Sequence, residues 1–246
     1  MELRLARIVE ESPDVRTLIF EGSVPPYKPG NFFRLWLPGS SGKKSFRPYS
    51  AASHPSEGNL RFCIKKRTGA SLAAEGAPAS SAPIKKNRSF SSRMWDLHEG
   101  DSVELDGPHG TFSLGKNDSE RVFVAGGVGI APLRSMIIQT LLDGKRTALF
   151  HSAQNLSGIA YIGEMKFLEM QNQSFKYFPA ITREAPAEGW GGLNGRITAE
   201  EVKRKLGPLE GKSFYLCGPV EMVSGIAKGL LDAGVKKENI KKEEWG

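Results

Sequence analysis

Gly126-Gly127-Val128-Gly129-Ile130-Ala131-Pro132 lies between an apolar run, Val122-Phe123-Val124-Ala125, and an amphipathic segment over 132–142. Glycines let a backbone approach a ligand closely and adopt positive φ. The free N–H groups and positive dipole end of a following helix favour a phosphate there. Pro132 stands where the common dinucleotide fingerprint has its third glycine, and proline suits the first position of a helix. The spacing therefore reads as a pyrophosphate turn of the form G-x-G-x-x-P, neither the ordinary Rossmann fingerprint nor a Walker loop. A purely structural turn is the other reading.

A second turn of this kind, Tyr215-Leu216-Cys217-Gly218-Pro219, again ends a strand and opens a helix with proline. Ligands of open α/β sheets sit outside the carboxyl ends of the strands, so one ligand could touch both turns. Cys217 is either a functional thiol there or a small buried hydrophobe. A third segment, Arg47-Pro48-Tyr49-Ser50, is kept extended by Pro48, which points Arg47 and Tyr49 the same way. A fork-shaped cation beside an aromatic plane can hold a phosphate and cover a flat ring, with Ser50 adding a hydrogen bond at the ring edge. The plainer alternative is a surface Arg and a packed Tyr.

The elements that must position these residues fall into two groups. Up to about residue 116, short β-rich runs at Leu3 and Leu5, 15–20, 33–37, 60–64 and 103–105 alternate with turn signals such as Pro29-Gly30 and Gly107-Pro108. They predict a small antiparallel barrel. Residues 70–83 are almost wholly Ala, Ser, Gly and Pro and read, with the basic residues that follow, as a surface insertion over about 70–88. From 117 onward strands and helices alternate: strands at 122–125, 147–150, 175–181 and 213–217, helices at 132–142, 163–170 and 219–233, and a Thr198-x-x-Glu201 capping box opening one more. Gly234 closes the last helix. This half predicts a doubly wound α/β domain with a parallel sheet.

Composition narrows the function. The 246 residues carry a net charge of +7 that is spread along the chain, which suits an acidic protein, a nucleotide phosphate or a nucleic acid. With no recognised nucleic-acid module and dispersed basic residues, nucleic-acid binding is not expected. The two cysteines, Cys63 and Cys217, exclude a four-Cys zinc or iron–sulfur site within the chain. His54, His98, His109 and His151 have no metal-ligand spacing, and turn or surface roles are expected. There is no apolar run of membrane-spanning length and no signal-type opening, so a cytoplasmic protein without membrane insertion is expected.

Taken in order, the motifs resemble the ferredoxin–NAD(P) reductase superfamily of flavin reductases. The resemblance rests on Pro29-Gly30-Asn31-Phe32, Arg47-Pro48-Tyr49-Ser50, Gly107-Pro108-His109-Gly110-Thr111-Phe112, the 126–132 turn, Cys217-Gly218-Pro219 and Glu243-Glu244-Trp245-Gly246. It implies a flavin-binding barrel over 1–116 and a nicotinamide-nucleotide domain over 117–246. FAD, or FMN, would be held by Arg47 at its phosphate, Tyr49 against its ring and Ser50 near its N5, with Pro48 shaping the segment and Ile64 and Lys65 on a lining strand. Gly126, Gly127, Gly129 and Pro132 would take the NADH or NADPH pyrophosphate, Cys217, Gly218 and Pro219 the nicotinamide. Glu243 and Trp245 match a tail near the flavin ring. Ser50, Cys217 and Glu243 are the candidate catalytic residues. The family's G-x-x-S turn for the FAD diphosphate is altered: Ser91 and Ser92 occupy its place, position 88 is Arg, and Gly69 is cut off by the insertion. Arg183 could pair with a 2′-phosphate.

The activity implied is hydride transfer from NAD(P)H to flavin, followed by electron delivery to a separate acceptor, an acidic ferredoxin or an oxygenase component. A free-flavin or ferric reductase and a non-catalytic electron-transfer subunit are the alternatives. All of this requires the Tyr49 wall of the barrel and the Cys217 loop to face one another across a single crevice.

Overall fold

The computed structural model describes residues 1–38, 44–66, 89–116, 118–185 and 187–245. The Ala/Ser-rich insertion, with Gly69 and Arg88, lies outside the described residues.

Alternation in the first half produces six antiparallel strands: β1 (Glu2–Ser12), β2 (Val15–Glu21), β3 (Phe32–Pro38), β4 (Lys44–Ser50), β5 (Leu60–Lys65) and β6 (Ser102–His109), ordered β4-β3-β6-β1-β2-β5. Leu3, Leu5, Phe20, Phe33, Leu35 and Phe62 turn inward and pack as one core. A single bridge from Ala51 to Phe62 brings the two outer strands together and closes the barrel. A short helix, α1 (Phe90–Met94), covers its open side, capped by the Ser89 hydroxyl, which accepts from the Ser92 N–H.

The second half is a parallel sheet of β7 (Glu120–Gly126), β8 (Arg146–Ala153), β9 (Phe175–Ile181), β10 (Leu193–Asn194), β11 (Lys212–Pro219) and β12 (Ile240–Trp245), ordered β10-β9-β8-β7-β11-β12. β7, β8 and β11 are buried along nearly their whole length, as strands covered on both faces must be. Helices α2 (Ile130–Leu142) and α3 (Ile162–Gln171) pack on one face. On the other lie α4 (Ala199–Leu206) and α5 (Val220–Asp232). Half of the expected capping box forms at α4: the Thr198 hydroxyl accepts from the Glu201 N–H, while the Glu201 carboxylate is engaged by Arg204 instead. The chain builds outward from β7 to β10 and then returns to β7's other side with β11. This reversal of direction puts the switch point of the sheet at the carboxyl ends of β7 and β11, where ligands of such sheets bind.

Three strands, β4, the two-residue β10 and β12, are additions to the sequence reading. β4 is mostly exposed, and β12 pairs with β11 from Phe214↔Ile240 to Pro219↔Trp245 although four of its six residues are charged. The two halves also share a core. Val15, Ala52, Cys63 and Phe112 of the barrel pack in the same cluster as Leu133, Met136, Tyr161 and Met165.

Candidate functional site

The two glycine turns meet. Gly129 opens α2 so close to β11 that a Cβ on it would lie 2.2 Å from the Cys217 carbonyl oxygen. A Cβ on Gly126 would lie 2.8 Å from both Pro219 Cδ and Met222 Sδ. Gly127 is different. Its φ of +52° is left-handed, and an added Cβ meets nothing within 4 Å, so its backbone is open to a ligand. Pro132 stands in the first turn of α2, which begins two residues earlier than expected, at Ile130.

His151 fixes this turn from below. It lies in β8, fully buried, and its Nε2 is 3.0 Å from the Gly127 carbonyl oxygen. A carbonyl can only accept, so Nε2 carries the proton and Nδ1 is a bare acceptor. No donor among the described residues meets Nδ1. Burial lowers its pKa from 6.5 to about 4. His54 is also buried, capping the turn over Pro55–Glu57 and placing its Nε2 3.0 Å from Gln139 Oε1. His54 thus has the turn role expected of it, its Nδ1 accepting from the Ser56 N–H at 3.2 Å, whereas the turn or surface role expected of His151 is corrected: it is an interior ring in a buried strand. His109 does lie near the surface, beside Asp106 at 3.1 Å.

The barrel reaches this edge through β4. Along a strand neighbours face opposite ways, and Tyr49 and Ser50 do so. The Tyr49 ring turns to α1, with its centroid 6.2 Å from that of Phe90, and burial pushes its hydroxyl pKa up to about 12. Ser50 turns to the second domain, where its Oγ donates to Glu243 Oε2 at 3.3 Å. Register puts Glu243 directly opposite Cys217 and Trp245 opposite Pro219. Ser50, with Tyr49 on the other face, thus meets the strand paired with that of Cys217, while Phe112 of the barrel meets β11 itself at Tyr215, ring centroids 6.1 Å apart. A crevice of about 430 Å³ opens beside this contact, between Phe32 and residues 110–112 of the barrel and residues 241–243 of β12.

Electrostatics at this cluster favours neutral groups. Burial raises the Glu243 carboxyl above the usual range, and the Ser50 hydrogen bond only partly offsets this. Burial, reinforced by the Glu243 charge, pushes the Cys217 thiol well up, so it stays protonated. Cys63 is likewise buried, and both cysteines are free.

The phosphate-binding expectations divide. Arg47 is exposed and donates only to the Phe46 carbonyl at 2.9 Å, with no carboxylate partner among the described residues. Ser91 and Ser92 sit in the first turn of α1, their hydroxyls 3.1 and 2.8 Å from Ser89 Oγ. A guanidinium with no carboxylate partner among the described residues, and serine hydroxyls near a helix start, suit an anion. Ile64 and Lys65 are expected on a lining strand and not in the phosphate grip. Ile64 packs in the barrel core, its carbonyl accepting from Trp95 Nε1 at 3.3 Å, and Lys65 pairs with Asp14 at 3.2 Å. Arg183 is exposed, with its N–H on the Gln154 carbonyl. Beside it Glu184, which carried no local signal, accepts the Leu156 N–H at 2.7 Å.

The chain matches two family models, an oxidoreductase FAD-binding domain over residues 2–114 and an oxidoreductase NAD-binding domain over residues 123–228. One component of the Na(+)-translocating NADH-quinone reductase of Methylococcus capsulatus is 31% identical over 208 residues, 82% of this chain and 49% of that protein. The corresponding component from Pseudoalteromonas atlantica is 29% identical over 209 residues, with the same shares. The chain spans about half the length of these curated relatives. Among solved structures, the flavohem-like FAD/NAD binding domain of a Vibrio cholerae nitric oxide dioxygenase superposes with a TM-score of 0.83 at 22% identity, covering 100% of this chain and 98% of that one. A ferredoxin NADP+ reductase from Neisseria gonorrhoeae with bound FAD and NADP gives 0.78 at 22% identity, covering 99% and 98%. At that identity the likeness is one of fold.

Proposed function

The chain belongs to the oxidoreductases that join an FAD-binding domain to an NAD-binding domain, and on that footing we propose that it is an NAD(P)H-dependent flavoprotein reductase serving a separate electron acceptor. The observation that carries this reading is the convergence at one edge: the Gly126–Gly129 and Cys217–Gly218 backbones abut where Ser50 of the barrel meets Glu243. When bound, a flavin supplies a ring that accepts a hydride from a dihydronicotinamide and passes the electrons on.

The chain's own residues hold and orient. Arg47, with the serines at the start of α1, is the proposed phosphate grip of the flavin half, residues 1–116. Gly126, Gly127, Gly129 and Pro132, with Gly218 and Pro219, are the proposed nucleotide grip of residues 117–246. Ser50 is proposed to present its hydroxyl at the ring edge. Glu243 is its proton-holding partner at Oε2, a carboxyl that burial raises above the usual range. Cys217, a neutral buried thiol, fills the floor of the site without acting as a nucleophile. Trp245, at the end of β12 and 42% exposed, is the aromatic proposed to cover the crevice.

An acidic redox protein, a ferredoxin or an oxygenase component, is the partner that the +7 chain suits, and two free thiols agree with work in the cytoplasm. The relatives' names favour a second reading, an electron-transfer subunit of a larger complex. The experiment is an absorption spectrum of the purified chain after incubation with FAD and with FMN, followed by anaerobic titration with NADH and NADPH in parallel. The reading expects a retained yellow chromophore that one or both nucleotides bleach. A chain that takes up no flavin refutes it. Sustained NAD(P)H oxidation with ferricyanide separates the reductase from a subunit unable to turn over alone.

A further inference from the structure

The side chain most heavily committed to the boundary between the two halves is Arg134. It is 2% exposed, and its guanidinium makes five hydrogen bonds. Nη1 donates to the Ala52 carbonyl at 2.7 Å and to Glu57 Oε2 at 2.8 Å. Nη2 donates to Glu57 Oε1 at 2.9 Å and to Glu164 Oε1 at 2.6 Å. Nε donates to Glu164 Oε2 at 2.8 Å. Two carboxylates are thus each held by two bonds, one from the barrel and one from α3.

What Arg134 joins is more telling than how tightly. It stands two residues after Pro132, about 3 Å along the axis from the end of the glycine turn. Ala52 stands two residues after Ser50. The grip continues along the helix, where Ser135 Oγ donates to the Ser53 carbonyl at 2.7 Å and Gln139 meets the His54 ring. The barrel segment it grips is itself fixed. The Tyr27 hydroxyl bonds the Ser53 hydroxyl at 2.8 Å, the Arg61 N–H donates to that same hydroxyl at 3.1 Å, and Ala52 N–H donates to the Arg61 carbonyl at 2.8 Å. Only a few residues of hydrogen-bonded backbone therefore separate Ser50 from the clamp on one side, and Gly129 from it on the other.

We propose that Arg134 is a positioning residue: by locking α2 to the barrel segment 51–57 through Glu57 and to α3 through Glu164, it sets the gap between Ser50 and the Gly126–Gly129 turn. A buried ion cluster contributes little net stability against an apolar substitute but fixes one arrangement. A planar fork with five donors can give each of two carboxylates two bonds and a carbonyl one, whereas an ammonium has only three donors to divide among them. Arginine is thus chosen for geometry. The proposal rests on the reductase reading, because the gap matters only if two rings must meet across it.

The test uses the full chain. Ser102→Cys and Glu210→Cys, both at exposed positions, one on each half, carry spin labels, the native thiols being buried. Inter-label distances are measured in the parent, in Arg134→Lys and in the triple change Arg134→Met, Glu57→Gln, Glu164→Gln, which removes the clamp without leaving a buried charge. Without labels, the same clamp variants are titrated with FAD and reduced with NAD(P)H in a stopped-flow instrument. The expected result is a single narrow distance in the parent and a shifted or broadened one in both variants. FAD affinity and apparent nucleotide Kd stay within about threefold, while the limiting reduction rate falls at least tenfold, as an ångström-scale misplacement of reactants does. An unchanged distance in both variants, a limiting rate within twofold of wild type, or a rate loss that only tracks lost flavin overturns the proposal. A wild-type chain that NAD(P)H fails to reduce overturns the underlying reading as well, which the wild-type trace alone reveals.

Discussion

His151 offers a measurement in which one buried ring reports on the glycine turn. Its Nε2–H is committed to the Gly127 carbonyl, and protonating Nδ1 would place a charge where no acceptor among the described residues meets it. Burial lowers its pKa from 6.5 to about 4. A base whose folded pKa is depressed contributes stability that is complete above 6.5 and is lost as pH falls toward 4. Linkage gives about 1.4 kcal/mol per pH unit across that window, hence about 2.5 kcal/mol lost by pH 4.5. His151→Gln keeps an N–H donor near the Gly127 carbonyl and cannot titrate there. Urea unfolding of both proteins at pH 7.5, 6.5, 5.5 and 4.5 then isolates this residue, since every other titrating group is common to the pair. The wild type should lose about 2.5 kcal/mol more than the variant between pH 7.5 and 4.5, the gap opening only below pH 6.5. A difference that stays constant across the series would refute the assignment of a neutral, unpartnered ring beneath the turn.

Gly129→Ala sets a Cβ 2.2 Å from a backbone oxygen that cannot swing aside, so it should cost about 1–3 kcal/mol in urea unfolding and weaken nucleotide binding measured by titration. Ser50→Ala removes the hydrogen bond that lowers the Glu243 pKa, so that carboxyl should rise further and the pH–rate profile of flavin reduction should shift to higher pH. The same change should slow reduction about 10- to 100-fold, the worth of one hydrogen bond to a charged group, with nucleotide affinity little altered. Cys63 and Cys217 should both resist a thiol reagent at pH 8 in the folded chain and react together once urea unfolds it, because burial holds both thiols protonated. A native chain labelled quickly at Cys217 would contradict that placement.

What the sequence made legible was local. The apolar run 122–125, the glycines after it and the amphipathic helix behind them are neighbours in the chain, so period and turn chemistry locate the turn between β7 and α2 directly. β12 was harder. Four successive charges at 241–244 carry no strand pattern, resemblance alone put Glu243 and Trp245 in a tail near the flavin ring, and only pairing with β11 makes them a strand and half-buries Glu243. Arg134 carried a usable signal, a charge inside the apolar run of α2, but its partners Glu57 and Glu164 lie 77 and 30 residues away, and no spacing rule links them. His151 likewise sat in a strand flanked by apolar residues, which argues for an interior ring. The alternation in β4 correctly put Arg47 and Tyr49 on one face. It follows that Ser50 points the other way, and that is what joins the barrel to β12.

The mixed cluster in which Val15, Ala52, Cys63 and Phe112 interleave with side chains of α2 and α3 bears on how such a chain can be cut or recombined. Severed near residue 117, each half would present to water an oily surface shaped to its sibling, and would tend to clump before it folded. Swapping in a foreign nucleotide half would succeed only if that half brought a matching surface along with its own glycine turn. The two halves are therefore best regarded as a single inherited unit, and engineering of one must begin from the face it shares with the other.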